Sequence, residues 1–98
     1  MKVELAAEAE RDLVMIGLFI ARDNPDRAAS FIREIRAKCQ SLAEFPRRYP
    51  VALEVDGAVF RRCGHQDYAI FYEVDDAVVT VTHILHGARD HASLFSVN

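Results

Sequence analysis

The stretch "ARDNPDRA", residues 21–28, cuts a long helical pattern in two. Asn24 suits the cap ahead of a helix, where its side-chain oxygen accepts a backbone N–H, and Pro25 suits the first helical residue, whose N–H has no helical partner in any case. A helix therefore starts there. Before it, Ala9, Leu13, Ile16, Gly17 and Ile20 draw one stripe along a helix running from Ala7 to near Asp23. After it, Ala28, Ile32, Ile35, Cys39 and Leu42 recur at steps of four and three, while Arg33, Glu34, Arg36 and Lys38 take the other sides. With almost no linker between them, the two helices must fold back as an antiparallel hairpin. Gly17 costs about 1 kcal/mol of helix propensity against alanine, and the expected return is close approach of another backbone.

Outward from the hairpin the pattern becomes strand-like. "KVELA", residues 2–6, alternates Val3 and Leu5 with polar neighbours. "EFPRRYP", residues 44–50, ends the second helix, because proline cannot continue it. Three runs rich in β-branched and aromatic residues follow: "AVFRRC" (58–63), "DYAIFYEV" (67–74) and "AVVTVTHILH" (77–86). Their short connections predict an antiparallel meander. The order is β-α-α-β-β-β, an α+β fold in which an N-terminal helix hairpin packs on one face of an antiparallel sheet, with residues 1–98 forming a single domain.

The last run does not alternate cleanly. Strict alternation would set Val79, Val81 and Leu85 on one face and Val78 and Ile84 on the other, with Thr80, Thr82 and His86. Since the hairpin covers only one face, the opposite one is expected to carry apolar surface for a partner, with the C-terminal "ASLFSV" covering part of it.

Composition narrows the function. The 98 residues are 51% hydrophobic and 28% charged, the profile of a compact globular chain. The longest apolar run, "LVMIGLFIA" (13–21), is well short of the roughly 18–20 residues that span a bilayer. Met1-Lys2-Val3-Glu4 does not open like a secretory signal, so a cytoplasmic location is expected, and Cys39 and Cys63 are expected to be buried free thiols. A net charge of −3 disfavours free-standing nucleic-acid binding, although Arg47-Arg48 and Arg61-Arg62 form local basic pairs.

The sequence "HILHGARD", residues 83–90, has the ingredients of acid-base chemistry. Within a strand, however, His83 and His86 point to opposite faces and cannot share a proton or a metal ion. Cys63-Gly64-His65 offers two metal-ligand types without a zinc spacing, and adjacency in sequence is not the geometry of a nucleophile and its base. Glycine-rich phosphate loops are absent. No metal, cofactor or catalytic residue is expected.

The strings "AERDLVMIGLFIARDNPDRAASFI", "LAEFP", "DYAIFYEVDD" and "ILHGARD", taken in this order, resemble the ParE branch of the RelE/ParE toxin superfamily, from Val3 to about Leu94. That resemblance implies a small toxin that poisons DNA gyrase and is neutralised by a ParD-like antitoxin. The sibling RelE branch, ribosome-dependent mRNA endonucleases, is the alternative, and a non-toxic antitoxin-binding homologue is another. In RelE-like sequences an arginine commonly follows the tyrosine of the third-strand motif, where this chain has Ala69. Of the nuclease set only Arg89 has a counterpart.

Within the ParE picture, an antitoxin needs an apolar ledge with a charged rim. Val14, Leu18 and Phe19, off the main stripe of the first helix, are expected to supply the ledge. Arg61 and Arg62 are expected to anchor carboxylates, and Tyr68 and Tyr72 to add aromatic contact. Arg89, Leu94 and Phe95, in the short terminal segment, are expected to contact gyrase.

Overall fold

The computed structural model describes residues 1–87. The elements run β1 (Lys2–Leu5), α1 (Ala7–Ala21), α2 (Pro25–Ser41), β2 (Val51–Val55), β3 (Ala58–His65), β4 (Tyr68–Val74) and β5 (Val78–His86). Asn24 caps α2 as expected, its Oδ1 accepting the Arg27 N–H at 3.0 Å with Pro25 opening the helix. The α+β architecture and the helix hairpin agree with the sequence reading.

Two features of the sheet go beyond that reading. It has five strands in the order β1-β5-β4-β3-β2, and β1 joins β5 in parallel, so the antiparallel meander lies within a mixed sheet. The additional strand, β2, pairs with β3 across Asp56 and Gly57, which have φ of 51° and 85°. Two positive φ values at the centre of a two-residue connection match the twist of a hairpin, and Asp-Gly is among the few dipeptides that tolerate them.

The faces of β5 depend on a bulge. Tyr72 pairs with Val81 but Phe71 pairs with His83, which leaves Thr82 as the extra residue, its Oγ1 donating to Phe71 O at 3.2 Å. Beyond the bulge the faces exchange. Ile84 joins Val79, Val81, Ile70, Tyr72 and Cys63 under the helices, and Leu85 packs on the opposite face with Ala69, Phe71 and Leu53. The expected grouping of Leu85 with Val79 and Val81 is thereby corrected, for one inserted residue inverts every later side chain.

The helices deliver Ala9, Leu13 and Ile16 from α1 and Ala28, Phe31, Ile35 and Cys39 from α2 to this core. Phe31 rather than Ile32 is the fully buried member of its turn; Ile32 is only partly covered. Beyond Leu5, β1 pairs no further with β5, and α1 substitutes for it: the Ile84 N–H donates to Asp12 Oδ2 at 2.9 Å, with His83 Nδ1 3.3 Å from the same oxygen. On the other side of the hairpin, Glu34 receives Arg27 and lies 3.1 Å from His65 Nε2 on β3. Arg27 first, and His65 second, hold the Glu34 carboxyl below its ordinary value of 4.5.

Removing the Asp12 carboxylate leaves a strand N–H without its partner, so Asp12→Ala is expected to cost about 1–2 kcal/mol in urea unfolding. A lowered carboxylate pKa in the folded state contributes stability above the unfolded value, lost as pH falls through the folded one. Glu34→Gln is therefore expected to lower the urea midpoint at neutral pH and to converge with the parent protein in strong acid.

Candidate interaction surfaces

From Leu13 to Ala21 helix α1 is apolar on nearly all sides, after first turns that carry Glu8, Glu10, Arg11 and Asp12, and its sheet-facing stripe uses only part of that surface. Val14, Met15, Leu18 and Phe19 form a second stripe, on the outside, with exposures of 59–64%. The pairs Val14 with Leu18 and Met15 with Phe19 are each one helical turn apart, so the four make one continuous patch. A helix that is hydrophobic all round ordinarily has protein on every side.

Beside this patch runs a groove of about 390 Å³ between the helices. Leu13, Val14, Gly17 and Leu18 form one wall, and Ala28, Ala29 and Ile32 form the other, with Arg36 at one end. Gly17 hollows the floor. The nearest atoms to a Cβ built there are Ile32 Cγ1 and Cδ1, at 3.6 and 3.7 Å, which is ordinary van der Waals contact. Close approach of a second backbone, expected from the sequence, is thus replaced by contact with a side chain. Arg36 grips Glu10 with a two-pronged pair, Nη1 to Oε1 at 3.1 Å and Nη2 to Oε2 at 2.9 Å, tying the N-terminal end of α1 to α2.

The other residues singled out from the sequence occupy three separate places. Tyr68 is half-buried in an aromatic column, 5.5 Å from Phe31 and 5.4 Å edge-on from His86. Arg61 lies on the helix-facing side of β3 and donates from Nη1 to Tyr49 O at 2.6 Å and Arg47 O at 3.1 Å. Tyr72 is fully buried, and its hydroxyl donates to Pro46 O at 2.6 Å. Tyr72, fully enclosed, is therefore corrected from a contact residue to a support, and together with the partly exposed Arg61 it pins the 46–49 loop from within. Arg62 is exposed on the opposite face, next to Gly87. Arg89, Leu94 and Phe95 lie outside the described residues. Sequence reasoning missed Met15, Ala28, Ala29, Ile32 and Arg36, although the Met15–Phe19 spacing was itself a signal.

Chemistry at the candidate catalytic positions is muted. Burial pushes the Cys39 thiol up to about 12, with the neighbouring Cys63 adding to the effect, so it stays protonated at neutral pH. Cys63 is likewise buried as a free thiol. Among the described residues no three His, Cys, Asp or Glu side chains converge as metal ligands. Ala69 is buried in an apolar cluster with Phe71 and Leu85, on the face that also carries the exposed Arg62.

A family model described as the ParE toxin of type II toxin-antitoxin system, parDE, matches residues 3–91. Among solved structures, a chain of the "Chromosomal ParDE TA system from P. aeruginosa" superimposes with a TM-score of 0.74 at 17% identity, covering 88% of this chain and 95% of that one. At that identity the likeness is one of fold. No curated protein matches the sequence.

Because a methyl group at position 17 meets only ordinary contacts, Gly17→Ala is expected to raise stability by roughly 0.5–1 kcal/mol through helix propensity, a Tm increase of about 2–8 °C by scanning calorimetry.

Proposed function

The chain belongs to the ParE toxin family of type II toxin-antitoxin systems, and from that membership we propose that it poisons DNA gyrase in the cytoplasm unless a ParD-like antitoxin is bound. The observation that carries the antitoxin part is the outward face of α1. Val14, Met15, Leu18 and Phe19 stand exposed beside an open groove, which suits an amphipathic segment laying its own apolar side chains between α1 and α2. Burying a large apolar side chain is worth about 1.5–3 kcal/mol, so four of them outweigh a substantial part of the cost of association.

In this reading Val14, Leu18 and Phe19 are the anchors, and Tyr68 and Arg62 are rim contacts. Arg61 and Tyr72 act indirectly, through the loop they support. The terminal segment with Arg89, Leu94 and Phe95 meets gyrase. The toxin works by binding and carries out no bond-breaking step of its own. Ala69, a buried alanine where RelE-like sequences commonly carry an arginine, supports this over a RelE-like endonuclease, which needs cationic groups to stabilise phosphate charge during cleavage.

Two measurements test the proposal. Leu18→Glu sets a charge in the middle of the apolar patch and is expected to weaken antitoxin binding at least about tenfold by calorimetry, as for a hot-spot residue. Unchanged affinity would remove α1 from the interface. Purified toxin is expected to trap gyrase-DNA cleavage complexes and to leave ribosome-programmed mRNA intact. Cut mRNA would establish the nuclease instead, and inactivity in both assays would mark a non-toxic antitoxin-binding homologue.

A further inference from the structure

The far end of α2 carries a second surface with different chemistry. Lys38, Arg48 and Arg61 gather around Tyr49, with the exposed Arg47 in the same loop: Lys38 Nζ is 5.9 Å and Arg48 Cζ 4.8 Å from the ring centre, Arg48 Nη2 donates to the Tyr49 hydroxyl at 2.8 Å, and Arg61 bonds the carbonyls of residues 47 and 49. Among the described residues none of these four cations has a carboxylate partner; Arg11, Arg22, Arg33 and Arg62 have none either, so what sets this end apart is that the unpaired cations are clustered. The chain as a whole carries a net charge of −3, so the concentration of unpaired cations at one end is a departure from its average. Glu44 is the one acid between residues 42 and 50.

In the same loop Phe45 has φ of 51° and is 75% exposed, more than any other large apolar residue among those described. A bulky residue in the left-handed region is uncommon and costs on the order of 1 kcal/mol or more, which persists only where the surroundings impose it. Here they do. The Tyr72 hydroxyl fixes Pro46 O, Arg61 fixes Arg47 O and Tyr49 O, and the Arg48 N–H closes a turn onto Phe45 O at 3.1 Å. The loop is thus held from within while its outer side presents one apolar ring and several cations.

We infer that this ledge of Phe45, Arg47, Arg48 and Lys38 is a docking site for an acidic polypeptide segment bearing an apolar side chain. It is built on the C-terminal end of α2, the 44–50 loop and β3, apart from the exposed patch on α1, and it does not depend on the antitoxin reading. Guanidinium groups bind carboxylates bidentately, and Phe45 supplies the apolar contact beside them. Nucleic acid fits less well. Tyr49, the ring that would stack on a base, already carries Arg48 and Lys38, and the few cations on an acidic chain neutralise few phosphates.

The test uses the purified full chain and three fluorescent probes: a short polyglutamate peptide with one central leucine, its polyglutamine counterpart, and a short DNA duplex. The acidic peptide is expected to bind, more weakly as salt rises, and the glutamine peptide is not. Arg47→Glu and Arg48→Glu are each expected to weaken binding roughly tenfold, the scale of a lost charge-assisted hydrogen bond. Phe45→Ser should also weaken it, and Leu18→Glu on α1 should leave it unchanged. Equal binding of the two peptides, or indifference to these ledge substitutions in variants whose urea midpoints match the parent, would overturn the site. Duplex binding without peptide binding would replace it with a nucleic-acid surface.

Discussion

The Asp12 carboxylate, accepting the Ile84 N–H, fixes how α1 sits on the sheet. Along Leu13 to Ala21, where apolar residues stand on nearly every side of α1, burial alone discriminates only weakly between its faces. The polar contact breaks that degeneracy: with Asp12 held at the end of β5, Ala9, Leu13 and Ile16 turn into the core and Val14, Met15, Leu18 and Phe19 turn away. The N–H is available because β1 stops at Leu5 and the bulge at Thr82 resets the strand beyond it. A short edge strand, an inserted residue and one aspartate together determine which side of the molecule is left for a partner.

That arrangement holds a stretch of apolar surface in water, which stabilises nothing in the free chain. Its counterpart is the dense core below, where Tyr72, Ile35, Leu42 and Ile70 are almost wholly enclosed. The protein keeps the two apart by making α1 bifacial, one side for its own folding and one for association. A ligand that covers the outer side selectively binds the folded state and must raise its stability by mass action.

The legible parts of the fold were those set by local chemistry. Asn24-Pro25 located the hairpin because a cap and a proline act within one turn of a helix, and α1 and α2 followed from spacing alone. The Asp56-Gly57 turn was equally local, and reading it would have revealed β2; the proline-rich stretch ahead of Val51 masked a strand only five residues long. The faces of β5 were not legible, since a bulge is decided by pairing with β4 and nothing in "VVTVTHILH" marks Thr82 as the extra residue. The same holds for the site. Leu18 and Phe19 announced themselves as apolar residues off the main stripe, but the inward role of Tyr72 depends on a carbonyl at Pro46, distant in sequence and brought close only by the finished fold.

The pairing of β1 with β5 joins residue 2 to residue 78 and residue 5 to residue 81. The helix pair and the run of neighbouring hairpins between them close locally, whereas Glu34–His65 and Asp12–Ile84 join helix to sheet across tens of residues. Pairing β1 with β5 therefore closes a long loop, and contacts so distant along the chain form slowly compared with local ones. On the ribosome α1 emerges before β5, so Asp12 has a strand to hold only after β5 has been made. The outer and inner sides of α1 become distinct only once β5 is available to Asp12, so the surface offered to a partner depends on a contact 72 residues away along the chain.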